Sequence, residues 1–336
     1  MDVSGYRKQY SRQVERAGAR KAASDSTELD RASSVAFDKK RTQAARVSQL
    51  RALSPEISQH LELVDRLLDL LRDADEPVAV RKVALTLLQQ STFLGPVFDP
   101  KRPDYLHTLR SIVDDSDSEL RRRVIGILAR QKDEYVQRRL IDGLERRAKP
   151  LVPEAKAIQF LGYDIHSDHY AVLRRIAEQP TKRPKRPAKR AAKRAGGGAP
   201  PRPTRAAREE RPRQTSSGVA RREAIRVLAA DPKSGRLLAR ILDDKREKPD
   251  VRRASAIALQ SVAPKKFEKM AMKIALDEKE DDQLRATSIS ALTHFGKPPS
   301  TPKERAFTKG VQKVHDMSAS PQVKRAARSY ISKFNS

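Results

Sequence analysis

Apolar positions along this chain fall at helical spacing. Leu61, Leu63, Val64, Leu67, Leu68 and Leu71 form one broad stripe, and no stretch alternates apolar and polar residues between turn signals as a strand would. Helix pairs are predicted from Ser54 onward, starting with a Ser54-Pro55-Glu56 helix start and a second helix around Val80. Further pairs are predicted at 103–114 with 119–131, 134–147 with 153–161, and 167–178 with 219–230. Three more follow at 235–243 with 250–262, 265–276 with 281–295, and 302–317 with 321–334. Gly162 reads as a left-handed helix stop.

The second helices share a phrase: apolar, basic, two variable residues, small, three variable residues, apolar. It reads Val80-Arg81…Ala84…Leu88, Leu120-Arg121…Val124…Leu128, and more weakly Ala157…Leu161. It returns at Arg221…Ala224…Leu228, Val251-Arg252…Ser255…Leu259, Leu284-Arg285…Ser288…Leu292 and Val323-Lys324…Ala327…Ile331. The small positions 84, 124, 157, 224, 255, 288 and 327 step by 40, 33, 67, 31, 33 and 39. A low-complexity tract of roughly 35 residues lies inside the long step, and removing it restores the period. Such a period signals stacked units, each burying its apolar face against its neighbours.

The fold expected is all-α: an α-solenoid of about seven helix pairs with an N-terminal helical cap and a disordered basic insertion. The expected divisions are 1–53 (cap, or a partner-binding arm), 54–179 (first half), 180–216 (insertion) and 217–336 (second half). The segments DVRRASAIALQSV and DQLRATSISALTHFG resemble bacterial HEAT repeats, including the short HEAT-like type first associated with bilin lyases. The resemblance covers about 54–336 apart from the insertion. It implies an architecture used by scaffolds, adaptors, assembly factors and some enzymes, so it does not by itself specify activity.

Charge narrows the class of partner. The net charge is +28, and Thr181 to Arg213 alone holds 13 Lys and Arg against Glu209 and Glu210. Lys182, Arg183, Lys185, Arg186, Lys189, Arg190, Lys193 and Arg194 come in pairs spaced by Pro or Ala, a pattern similar to linker-histone tails and some bacterial nucleoid proteins. Such a tract has too little apolar surface to fold, and it can lie along phosphates through counterion release without reading bases. A solvated loop, or docking on an acidic protein, would use the same residues. The chain has no Trp and only 4% aromatic residues, against base stacking.

The repeated basic residue at 81, 121, 252, 285 and 324 has two readings. The resemblance implies a ladder pairing with acidic turns such as Asp75, Asp117, Asp250 and Asp282. The alternative is a basic stripe on one face, to which the adjacent Arg122, Arg253 and Arg325 would contribute. YDIHSDHY at 163–170 gathers Asp164, His166, Asp168 and His169, but it matches no metal-ligand template, and Ser167 suits a helix cap. No metal and no cofactor is expected.

Catalysis is not expected either. Metal-dependent hydroxylases of this architecture carry His-Glu pairs, which this chain lacks. Alkylpurine DNA glycosylases of similar build use Trp-rich clefts, and no phosphate loop or nucleophile elbow is present. There is no cysteine, no apolar leader in the opening residues and no apolar run of membrane-spanning length, so a cytoplasmic protein is expected. The sequence therefore points to a scaffold or adaptor for an anionic partner, nucleic acid first, with a protein held in the solenoid groove as the alternative.

Overall fold

The structure is a computed structural model describing residues 27–58, 60–164, 169–179, 216–296 and 298–334. Among the described residues there are sixteen α-helices and no strand, as the helical spacing predicts. The insertion reading at 180–216 lies almost wholly outside them. In chain order the helices are α1 (27–37), α2 (Gln43–Ala52), α3 (Glu62–Arg72), α4 (Val78–Ser91), α5 (Arg102–Ser111), α6 (Ser118–Arg130), α7 (Glu134–Leu144) and α8 (Glu154–Leu161). They continue with α9 (Tyr170–Glu178), α10 (Ser216–Val227), α11 (Gly235–Asp243), α12 (Pro249–Val262), α13 (Pro264–Leu276), α14 (Asp282–Phe295), α15 (Pro302–Met317) and α16 (Pro321–Phe334).

Two compact units divide the chain, 1–136 and 137–336. In each, a first helix packs on its second, and successive second helices pack side by side: α2 on α4 in the first unit, and α8 on α10, α10 on α12 and α14 on α16 in the second. The residues at 84, 124, 157, 224, 255, 288 and 327 are all buried. Their small or β-branched side chains permit this close approach between neighbouring helix pairs within each unit. Gly162 serves the same end. Its φ of −65° is right-handed, contrary to the left-handed stop expected, and an added Cβ would lie 2.9 Å from Val227 Cγ2 on α10.

One basic residue recurs in the core of the pairs. Nε donates to a carbonyl near the end of the first helix: Arg46 to Ala36 (3.1 Å), Arg81 to Leu71 (3.1 Å), Arg252 to Leu242 (2.8 Å) and Arg285 to Ala275 (3.4 Å), each ten residues back. The carbonyls that end a helix have no partner within it, so the guanidinium both caps them and meets the negative end of the dipole. Arg221 makes the same bond to Ala177 at 2.7 Å across 44 positions rather than ten. Thus α9 and α10 are one pair despite the residues between them, as the doubled step in the period implies.

The ion-pair partners differ from those the resemblance suggested. Arg46 pairs with Glu76 (2.7 Å), Arg81 with Asp115 (2.6 Å), Arg221 with Glu247, and Arg252 with Glu280 (2.5 and 2.8 Å). Each acid sits in the turn of the following pair, placed where the turn points inward. Asp117 and Asp250 instead meet Lys82 (3.1 Å) and Arg222 (2.6 Å). Asp282 lies 3.7 Å from Arg285 within one helix turn. Arg121 donates to the Asp115 carbonyl, and Lys324 is exposed.

Two local expectations also change. Ser54-Pro55 leads into a short 3₁₀ turn, Glu56–Ser58, and α3 begins only at Glu62. The N-terminal region contains a complete pair, α1 and α2, joined to the ladder by Arg46. Here Gln49 replaces the usual small residue and Ala45 the usual Val or Leu, which hid the phrase.

Candidate polyanion interface

The ladder arginine turns inward, so the residue after it projects from the second helix on another face. After Arg46 and Arg285 that residue is Val47 and Ala286; elsewhere in the sequence register, including after Arg121 and Lys324, it is basic, at Lys82, Arg122, Arg222, Arg253 and Arg325. Two of these are held by acids. Lys82 meets Glu119 (2.6 Å) and Asp117 (3.1 Å), and Arg222 meets Asp250. The Glu119 contact raises the Lys82 pKa above its ordinary value, and the same bond pulls Glu119 down. Bonding from the Leu120 N–H, with Lys82, lowers Asp117. Arg122 and Arg325 are exposed and Arg253 is half-buried, and none makes an ion pair with another described residue.

Arg253 lines an open groove of about 480 Å³ in the second unit. Gln283, Thr287, Ser290, His294 and Gln322 share it over a floor of Ala286 and Ala291. Its lining carries one guanidinium, several neutral polar groups and no carboxylate, which suits an anionic oxygen. The first unit has a groove of about 550 Å³ between α2, α4 and α6. Val47, Ala79, Val83 and Leu87 form its apolar floor, with Arg51, Lys82 and Arg123 at the edge.

The eight tract residues from Lys182 to Arg194 lie outside the described residues, as do His166 and Asp168. Asp164 and His169 are placed. Gln137 donates Nε2 to Asp164 Oδ2 at 3.2 Å, and its Oε1 lies 3.3 Å from His169 Nε2. Among the described residues no three His, Cys, Asp or Glu side chains gather as metal ligands. No helix there is long and apolar enough to cross a membrane. Sequence reasoning missed the second-unit groove, because its polar lining comes from three helices up to 69 positions apart.

The fold is that of an all-helical protein built from stacked helix pairs. No protein-family model matches the chain, and neither does any curated protein sequence. Among solved structures it is similar to human deoxyhypusine hydroxylase in complex with glycerol. The identity is 17% and the TM-score 0.28, over 84% of this chain and 99% of that one. The likeness is too slight to carry a mechanism. It does correct the expectation that catalysis is absent, since the similar structure is that of an enzyme.

Proposed function

We propose that this chain is a HEAT-repeat scaffold or adaptor that binds an anionic partner, nucleic acid held through its phosphates. The observation that carries the reading is how the cations divide. The ladder arginines are buried, most of them against acids, whereas Arg122, Arg253 and Arg325, each following the repeated basic residue, make no ion pair among the described residues. The +11 tract around Lys182, Arg183, Lys185, Arg186, Lys189, Arg190, Lys193 and Arg194 adds a sequence-independent contact. The cysteine-free composition suits the cytoplasmic setting that goes with this reading.

Titration of a labelled duplex or single strand tests it. Neutralising about six phosphates should weaken binding roughly a thousandfold between about 50 and 200 mM salt, and removing 181–213 should flatten that dependence. Binding untouched by the deletion would remove the tract from the site.

A second reading has its own support. The apolar floor of the first-unit groove, edged by Arg51 and Arg123, suits an acidic, apolar peptide or helix of a protein partner. Recovery of one stoichiometric protein from cells after nuclease treatment would favour it.

A further inference from the structure

Three first helices hold an outer cation against an acid of a neighbouring pair. Arg110 on α5 meets Asp133 (2.7 Å), Arg175 on α9 meets Glu145 (3.0 Å), and Arg240 on α11 meets Glu178 (2.9 Å). The last two first helices differ. α13 carries Lys265, Lys269 and Lys273, and α15 carries Arg305, Lys309 and Lys313. All six are exposed, and none makes an ion pair among the described residues. Arg305 donates to the Ser300 carbonyl (2.9 Å), which leaves its charge unneutralised.

Residues four apart share a helix face, so each trio forms a row whose members stand about 6 Å apart along the axis. The rows lie opposite the buried residues of their helices, Phe267, Ala271 and Ala275 in α13 and Phe307, Val311 and Val314 in α15. The two helices pack against each other. Gly310 lets them approach, since a Cβ there would lie 2.8 Å from Leu276 Cδ2. The acids nearby are turned elsewhere. Burial raises the Tyr330 pKa, and Glu304 and Glu268 add to it from the α16 side of their helices. Asp277 and Glu280, in the turn after α13, are held by Lys245 and Arg252, while Glu278 is exposed in that turn. Asp316 is bonded to Gln312 and the His315 ring. Like charges four apart destabilise a helix, so both rows cost stability that no ion pair among the described residues returns.

We propose that the outer face of α13 and α15 is a docking surface for a nucleic-acid backbone, with each of the six cations offered to a phosphate. The spacing within a row is close to that of successive phosphates along an extended strand. Five of the six are lysines, whose ammonium groups bind phosphate as point charges and read no base. A membrane surface fits less well, because interfacial binding grows with the apolar area buried. The large apolar residues exposed on these helices are Leu276 and Met317, each at a helix end. The inference rests on the polyanion reading and adds a face to it: these cations belong to first helices, whereas Arg122, Arg253 and Arg325 belong to second helices.

The full-length protein would be titrated with a labelled DNA duplex over a series of salt concentrations. Losing three phosphate contacts should lower the slope of log Kd against log salt by about 2.7. Lys265→Gln, Lys269→Gln and Lys273→Gln combined should therefore bind more weakly at low salt. Their further weakening between about 50 and 200 mM should be about fortyfold smaller than that of the wild type. Arg305→Gln, Lys309→Gln and Lys313→Gln combined should do the same. The exposed Lys40, Lys149 and Lys248, all changed to Gln, remove equal charge elsewhere and should leave the slope as it is. An equal reduction in that control would overturn the proposal, because net charge alone would then explain binding. An unchanged slope in either row variant would overturn it too, and loss of binding to phosphatidylglycerol vesicles in that variant would assign the face to membranes. A wild type that binds no duplex or single strand overturns this inference together with the reading beneath it. An unchanged slope in a protein that does bind overturns this inference alone.

Discussion

Two serines occupy the same small position in neighbouring units and ought to behave oppositely. Ser255 Oγ donates to the Leu238 carbonyl at 2.9 Å, whereas the buried Ser288 Oγ has no partner among the described residues. A buried hydroxyl costs free energy unless bonded, and its bond adds about 1 kcal/mol net. Ser255→Ala should therefore cost roughly 1 kcal/mol in urea melts, and Ser288→Ala should be neutral or stabilising by a similar amount. Equal losses would contradict the assignment. Glu304 offers a pH test. It closes a capping box with Thr301, and hydrogen bonds from the Thr301 and Ser300 backbones hold its pKa at about 2, below its ordinary 4.5. A depressed carboxylate stabilises the fold above its ordinary pKa and loses that effect as pH falls towards the folded value. The Tm difference between wild type and Glu304→Gln should shrink between pH 4.5 and 2 and vanish below. A constant difference would mean that charge on Glu304 is irrelevant.

Among the elements, the second helices carry both the packing and the ladder. Removing one partner of a buried ion pair leaves a stranded charge, at about 3–5 kcal/mol. Arg252→Met should cost that much through Glu280, and Arg252→Met with Glu280→Leu should recover most of it. Because repeat units are stabilised mainly by nearest neighbours, the single change should speed amide exchange in α11 to α14 and leave α8 unchanged. Uniform acceleration across 154–295 would argue for one undivided core. The helices themselves were legible from spacing because a 3.6-residue period is a local property. Their ends were less so. Ser54-Pro55 has the composition of a helix start, yet its backbone enters a 3₁₀ turn, since the Ser54 N–H is already bonded to the Arg51 carbonyl. Gly162 was misread because a glycine after a helix can mark a left-handed turn or a close approach, and only the proximity of Val227 decides between them.

In the molecule as a whole, the charge excess and its concentration at 181–213 follow from composition, and the salt dependence predicted above tests that scale. The sequence alone determined the helical class, the repeat period and the unity of the α9–α10 pair, because each depends on spacing along one chain. Tertiary structure decided which cations are consumed inside and which remain available. Adjacent arginines such as Arg252 and Arg253 are chemically alike, but the helix turns one towards Glu280 and the other towards an open groove.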